Sequence, residues 1–305
     1  YAFTVVYEEQ GQRGQEQLVL RLYMGEDAEQ KAEREFYAMR LLREAGYPVP
    51  HMLLLGDREF PFGQPFALME RIDGVMLWPD LFRSPDEARR QELLTLFCAL
   101  LVRLHRLDWR LFVADPASYR GEYPCDPVRH ELAALRRLLD RFGYDGFRPI
   151  LEWLEQRRGA AVCLRPVPVH RDFHPGNVLV SPSGMGIVID WTQFDIADAR
   201  LDLAWTLLIV GISEGPEWRE RVLREYERLA GEPVPGVEYF DVLAALRRLM
   251  LVIIAVAEGP EKVGMRPDIV QELQQPILIT RIHEVIRERT GLHVPEVDKL
   301  LALVR

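Results

Sequence analysis

Cysteine is scarce in this sequence: Cys98, Cys125 and Cys163 are the only three in 305 residues, and no Cys-x-x-Cys occurs. That argues against a disulfide framework and a thiolate zinc site, and it fits a reducing compartment. Neither Gly-x-x-x-x-Gly-Lys-Ser/Thr nor Gly-x-Gly-x-x-Gly is present, so a P-loop or dinucleotide fold has no support. Long apolar runs are missing too. The longest, 203–212 and 249–257, are too short to span a bilayer. No signal-peptide pattern opens the chain, so the expected location is the cytoplasm. An excess of basic charge is also absent. The formal net charge of -9 argues against nucleic acid and anionic membrane as partners, because polyanions are bound by basic surfaces.

What is present suits a globular protein with a sizeable core, 48% hydrophobic and 28% charged, in one large domain or two smaller ones. The most informative stretch is His170-Arg171-Asp172-Phe173-His174-Pro175-Gly176-Asn177. Pro175 and Gly176 exclude a helix interior there. The short apolar run 186–189 follows and delivers Asp190 at its end, which predicts a hairpin. Asn177 lies five positions after Asp172, and Asp190 eighteen after it. Asp172 is then placed to accept a proton from a hydroxyl nucleophile. Asn177 and Asp190 offer the oxygen ligands that a hard cation such as magnesium prefers, leaving room for nucleotide phosphates.

These residues resemble the catalytic loop of protein-kinase-like enzymes, His-Arg-Asp, four residues, then Asn. With His-Pro-Gly before the Asn, and Ile189-Asp190-Trp191 in place of Asp-Phe-Gly, the pattern is similar to the aminoglycoside phosphotransferase family of small-molecule kinases. The run Asp198-Ala199-Arg200-Leu201-Asp202-Leu203-Ala204 resembles that family's Gly-Asp-Pro, two residues, Asp-Leu-Ala. The resemblance implies an α+β, bilobal protein-kinase-like fold. A small antiparallel lobe with one main helix would span 1–72, and a larger helical lobe with the catalytic loop and acceptor site would span 73–305.

The implied activity is transfer of the γ-phosphoryl group of ATP, or GTP, to a hydroxyl of a small molecule, an aminoglycoside or other antibiotic among the candidates. Mg2+ is the implied cofactor. Asp172 would be the catalytic base, Asn177 and Asp190 the metal ligands, and His170, His174 and Asp202 supporting residues, with Asp202 beginning a helix beneath the loop. Arg171 departs from the pattern, since the family more often has Gly there. In regulated protein kinases that arginine reads a phosphorylated loop, but seven residues between Asp190 and Asp198 leave little room for one. His174 occupies the position of a protein-kinase lysine, which disfavours a protein acceptor. The family's nucleotide-covering strand and loop have no counterpart, and because the chain opens on Tyr1 rather than Met they are expected upstream.

Along the chain, 1–8 reads as a strand, 11–17 as a polar turn and 18–23 as the antiparallel partner strand. Arg21 within that strand is either an edge-strand charge or, by the resemblance, the phosphate-contacting cation. Residues 27–45 read as a helix with Ala32, Phe36, Met39 and Leu42 on one face. On that helix Glu35 is the candidate partner of Arg21, with Glu33 as the alternative, and the pair is expected to be partly exposed. Two more strands follow at 52–55 and 65–70. Met69, Glu70 and Arg71 resemble the lobe-joining segment whose backbone meets the adenine edge. Helices are expected at 86–107, 128–142, 149–158, 201–211, 216–230, 237–257 and 269–289, with a loop over 116–127. Two other classes fit some of these residues. A metal-dependent hydrolase would use His170, Asp172, His174 and Asp190 as ligands, and a nucleotide-binding protein would keep the fold without catalysis.

Overall fold

Antiparallel pairing sets the register of the first strands. The computed structural model describes every residue except 10–11, 26, 60–61, 114–126, 164, 264–274 and 304–305. Strand β1 (Ala2–Glu9) pairs with β2 (Gln12–Leu22), from Ala2 opposite Val19 to Glu9 opposite Gln12. The turn expected over 11–17 is therefore corrected, because Gln12 to Gln17 extend β2. Gln15, Glu16 and Gln17 are all exposed, so this part of the strand buries neither face and lacks the alternation that marks a strand in sequence.

β3 (Met52–Gly56) and β4 (Phe66–Glu70) complete a sheet in the order β1-β2-β4-β3, with Arg21 opposite Ala67. Helix α1 (Ala28–Glu44) packs on β3 and β4 and buries the expected stripe of Ala32, Phe36, Met39 and Leu42. Each large apolar side chain buried this way contributes about 1.5–3 kcal/mol. Glu35 is buried with them.

A two-residue strand β5 (Val75–Met76) and the short helix α2 (Leu77–Arg83) were not expected. Two residues carry no periodicity, and Pro79 reads as a breaker although the first turn tolerates it. In α3 (Glu87–Arg106) the predicted stripe of Leu93, Phe97, Leu100, Leu101 and Leu104 is buried, and Asp86 caps the helix by accepting from the Ala88 N–H at 2.9 Å. Strand β6 (Pro166–Val169) leads into the loop 170–177. Beyond it β7 (Val178–Val180) and β8 (Gly186–Val188) form the expected hairpin, joined by β5 in a three-stranded sheet. The hairpin rests on α3, where a Cβ added at Gly186 would lie 2.7 Å from Leu100 Cδ1.

The remaining elements are mostly helical. α4 (Pro127–Phe142) and α5 (Arg148–Arg157) precede β6, and β9 (Asp195–Asp198) pairs with it. Then come α6 (Ala199–Glu214), α7 (Pro216–Ala230), α8 (Val237–Ala257), α9 (Pro276–Thr290) and an unexpected α10 (Pro295–Leu303). The apolar runs 203–212 and 249–257 lie in α6 and α8, which pack together as core. No described helix is long and apolar enough to cross a membrane. The loop expected at 116–127 falls outside the described residues except for Pro127, which opens α4, as do residues 269–274 of the expected helix 269–289. Cys98 and Cys163 are free thiols.

The α+β class expected from sequence is the class observed. By compactness the chain divides into two units, one of Tyr1–Val113 with His170–Asp195, the other of Ala114–Val169 with Ile196–Arg305.

Candidate active site

The loop 170–177 is held by its own side chains. His170 is fully buried, with Nδ1 accepting from the Asp172 N–H at 3.2 Å. That bond fixes the neutral tautomer, so Nε2–H donates to Ile189 O at 2.9 Å. One imidazole thus ties the residue after Arg171 to the residue before Asp190. Phe173 is buried beside Phe97, ring centroids 5.0 Å apart, and anchors the loop to α3. Such an aromatic pair contributes about 0.5–1.5 kcal/mol beyond its burial.

Next to Phe173, the two polar side chains of the loop are oriented in turn. His174 Nδ1 accepts from the Gly176 N–H at 3.1 Å, and its Nε2 lies 3.8 Å from Asp172 Oδ1. Asn177 donates from Nδ2 to the Asp172 backbone carbonyl at 2.9 Å, which assigns its amide and leaves Oδ1 as the acceptor end. Gly176 permits this arrangement, because a Cβ there would lie 2.9 Å from His174 Nδ1 and Cε1. Gly176→Ala is expected to displace the imidazole, cost about 1–3 kcal/mol of stability and lower turnover. Steady-state kinetics beside thermal melts check this, and an unchanged kcat would remove His174 from the supporting residues.

A second cluster gathers residues from the sheet, α1 and the hairpin end. Arg21 donates from Nη1 to Glu35 Oε1 at 2.9 Å and from Nη2 to Asp190 Oδ1 at 2.8 Å. Residues two apart on a strand share a face. Tyr23, one residue past the end of β2, continues on the face of Arg21, and its hydroxyl donates to Glu35 Oε2 at 2.5 Å. The Trp191 N–H donates to Glu35 Oε1 at 3.0 Å, and Thr192 Oγ1 donates to Asp190 Oδ1 at 3.1 Å. The chain has three lysines against thirty-five arginines, and the guanidinium fork is what lets one cation bridge two carboxylates.

The electrostatics follow from burial and from this sharing. Burial, with the Asp190 charge, holds the Glu35 carboxyl above its ordinary range, despite the guanidinium of Arg21 and the bonds from Tyr23 and Trp191. Burial also pushes on Asp190, but there the charge and hydrogen bond of Arg21, with the Thr192 hydroxyl, prevail and hold the carboxyl below its ordinary value. Asp190 is therefore an anion ready for a cation. Its backbone is left-handed, at φ 66°.

Several expectations change here. Glu35 was expected to be partly exposed and is 1% exposed, while the alternative Glu33 is exposed on the outer face of α1. The hydrolase cluster does not form. Both ring nitrogens of His170 are taken by backbone groups, and no three described His, Cys, Asp or Glu side chains are arranged to hold a metal ion. Asp202 was expected to begin a helix, but α6 starts at Ala199 under an Asp198 cap, Oδ1 accepting from the Arg200 N–H at 2.9 Å. Asp202 sits in the first turn, fully buried.

Met69 is buried in β4. The Glu70 N–H donates to His51 O and the Arg71 N–H to Gln17 O, both at 2.9 Å, so neither amide is free for an adenine edge. Sequence reasoning missed Tyr23, Trp191 and Thr192 as members of the cluster. The i, i+2 spacing from Arg21 was the signal for Tyr23. Nothing local marked a backbone N–H at Trp191.

Comparison with known proteins finds several likenesses. The chain is 27% identical over 178 residues to the mouse (Mus musculus) acyl-CoA dehydrogenase family member 10, a match covering 58% of this chain and 16% of that protein. The choline kinase of Streptococcus pneumoniae shares the fold with a TM-score of 0.60 and 18% identity, covering 94% of this chain and 89% of that one. An aminoglycoside phosphotransferase solved with streptomycin and ATP gives a TM-score of 0.54 and 18% identity, covering 88% of this chain and 84% of that one. The model of the phosphotransferase enzyme family, APH, matches residues 1–239, and the chain belongs to that family.

Proposed function

We propose that the chain is a small-molecule kinase that transfers the γ-phosphoryl group of ATP, or GTP, to a hydroxyl of its acceptor. The observation that carries this reading is the bridging of Glu35 and Asp190 by Arg21, three side chains from a strand, a helix and a hairpin end. Asp172 accepts the hydroxyl proton. His174 faces its carboxylate, and Asn177 is locked to its carbonyl. Asn177 Oδ1 and the Asp190 carboxylate fit magnesium as hard oxygen donors. When bound, the ion neutralises charge on the phosphates. Arg21, steadied by Glu35, positions the phosphates, and positioning with charge neutralisation carries most of the catalysis.

In this reading residues 1–72 form the nucleotide lobe and 73–305 the lobe with the acceptor site. The adenine lies along Met69 to Arg71, where it meets carbonyls or the N–H groups that follow, and Asp202 supports the loop from α6. The donor has its precedent in the streptomycin and ATP complex. That complex and the choline kinase frame the acceptor as a small hydroxylated compound, antibiotics included.

An ATP-consumption screen over hydroxylated compounds tests the proposal. One acceptor class is expected to turn over, with activity lost on chelation and restored by magnesium. Nucleotide binding with no acceptor consumed would make the chain a non-catalytic binder, and tightly held zinc or iron in the purified protein would revive the hydrolase.

A further inference from the structure

Trp78, the second residue of α2, stands half-buried beside the catalytic loop. It is not what anchors its helix. Leu77, Leu81 and Phe82 do that, all three buried in the core, so the fold of α2 does not depend on the indole. The indole instead lies edge-to-face with the His174 imidazole, ring centroids 6.1 Å apart and planes at 77°. Phe82, one helical turn on, backs it at 5.1 Å and 61°. Gly176 completes the fit, since a Cβ there would lie 4.0 Å from Trp78 Cε3.

The imidazole is thereby held in two ways. The Gly176 N–H, donating to Nδ1 at 3.1 Å, fixes one atom of the ring, and the indole edge restrains the tilt of the ring about that bond. Because Nδ1 accepts, the ring proton sits on Nε2, the atom 3.8 Å from Asp172 Oδ1. That separation is longer than a hydrogen bond. Catalytic hydrogen bonds are often long before substrate arrives and tighten in the complex, so an imidazole already aimed is what such tightening needs. We propose that Trp78 is a positioning residue for phosphoryl transfer: its indole keeps the His174 Nε2–H directed at Asp172 Oδ1, which leaves Oδ2 to take the acceptor's proton.

The inference rests on the kinase reading, in which Asp172 is the base. There the hydroxyl O–H bond breaks and its proton passes to Oδ2, the oxygen bonds to the γ-phosphorus, and the bond from phosphorus to the bridging oxygen breaks to release the nucleoside diphosphate. An imidazole that tilts away removes one guide of the carboxylate. Misplacement by about 1 Å costs about 10²-fold in rate, so a loss of about tenfold is expected when the restraint alone is removed.

Two substitutions of the full chain test this. Trp78→Leu keeps apolar bulk but removes the ring, and Trp78→Phe restores a ring. With isotope-labelled histidine, long-range proton–nitrogen spectra read the His174 tautomer, assigned by the signals that vanish in His174→Gln. The wild type and Trp78→Phe are expected to show the Nε2–H form alone, and Trp78→Leu a mixture of both forms. Kinetics with magnesium, ATP and the acceptor found in the consumption screen give the second readout. Trp78→Leu is expected to lose about tenfold in kcat, with affinity for a non-hydrolysable ATP analogue unchanged, and Trp78→Phe to recover most of the loss. On top of His174→Gln, Trp78→Leu is expected to cost less than about twofold more, because a residue that acts through another is silent once the other is gone.

Thermal melts verify folding, and Trp78→Met, unbranched and apolar, replaces Trp78→Leu if that variant does not fold. An unchanged tautomer in the ringless variant overturns the inference. So does a double variant whose loss equals the product of the two single losses, which would have Trp78 act independently of His174. If the wild type consumes no acceptor in the screen, the kinase reading falls, while the spectra still decide whether Trp78 orients the imidazole.

Discussion

Asp172→Asn is expected to cut phosphoryl transfer by roughly 10²- to 10⁴-fold, the loss typical of a missing general base, while nucleotide and magnesium binding stay nearly intact. The loop is expected to survive this change because the backbone N–H and carbonyl of Asp172, which asparagine keeps, make its bonds to His170 and Asn177. Asn177 bonds the backbone carbonyl of Asp172, and the carboxylate itself stands 3.8 Å from His174 Nε2. Asp190→Asn is expected to behave differently. It removes one of the two anions on Arg21 and one of the two proposed metal ligands, so magnesium-dependent nucleotide binding falls along with turnover. Titrations of both variants with and without magnesium, beside single-turnover rates, give the comparison. Full activity in both would show that the loop is not the catalytic centre.

Glu35→Ala is expected to cost about 3–5 kcal/mol of stability, the range for breaking a buried pair by deleting one partner, together with most of the turnover. From sequence alone the same change looks nearly harmless to folding, because an exposed ion pair contributes about 0–1 kcal/mol. The difference comes from burial. At 1% exposure Glu35 accepts from Arg21, Tyr23 and the Trp191 N–H, and truncation strands the last two donors and leaves Arg21 with Asp190 alone. Glu35→Gln keeps the shape and is expected to recover part of the stability but little of the activity, since a neutral amide no longer opposes the Arg21 charge. Equilibrium unfolding and kinetics on both variants measure this. A melting temperature unmoved by Glu35→Ala would contradict the burial argument.

The contrast shows which parts of this chain are legible in sequence. The stripe of α3 and the hairpin delivering Asp190 follow from periodicity and turn chemistry, which are local. Arg21 and Glu35 were paired by resemblance, and the structure brings them to 2.9 Å, but nothing in the string of letters gave the depth of the pair. Depth is set by how the sheet, α1 and the hairpin pack together. The first half of β2, Gln12 to Gln17, reads as a turn in sequence because its polar, exposed residues bury neither face, whereas the half from Leu18 reads correctly as a strand. The resemblance puts Asp202 at the start of α6, although Asp198 in the same run suits a helix N-terminus as well. Only the hydrogen bond to Arg200 identifies Asp198 as the cap. His170 has the chemistry of a metal ligand in sequence, but in the fold both of its ring nitrogens are engaged by backbone groups.

The discontinuous make-up of the first compact unit also bears on how the protein is made. Arg21 and Asp190 are 169 positions apart in the chain yet share one ion pair. At a synthesis rate of about 5–20 residues per second, Asp190 leaves the ribosome roughly 10–30 seconds after Arg21. Throughout that interval the nascent sheet and α1 carry Arg21 and Glu35 without the hairpin that completes their surroundings. Assembly of the site is therefore a late event in biogenesis, set by the arrival of 170–195 rather than by the folding of the strands that emerge first.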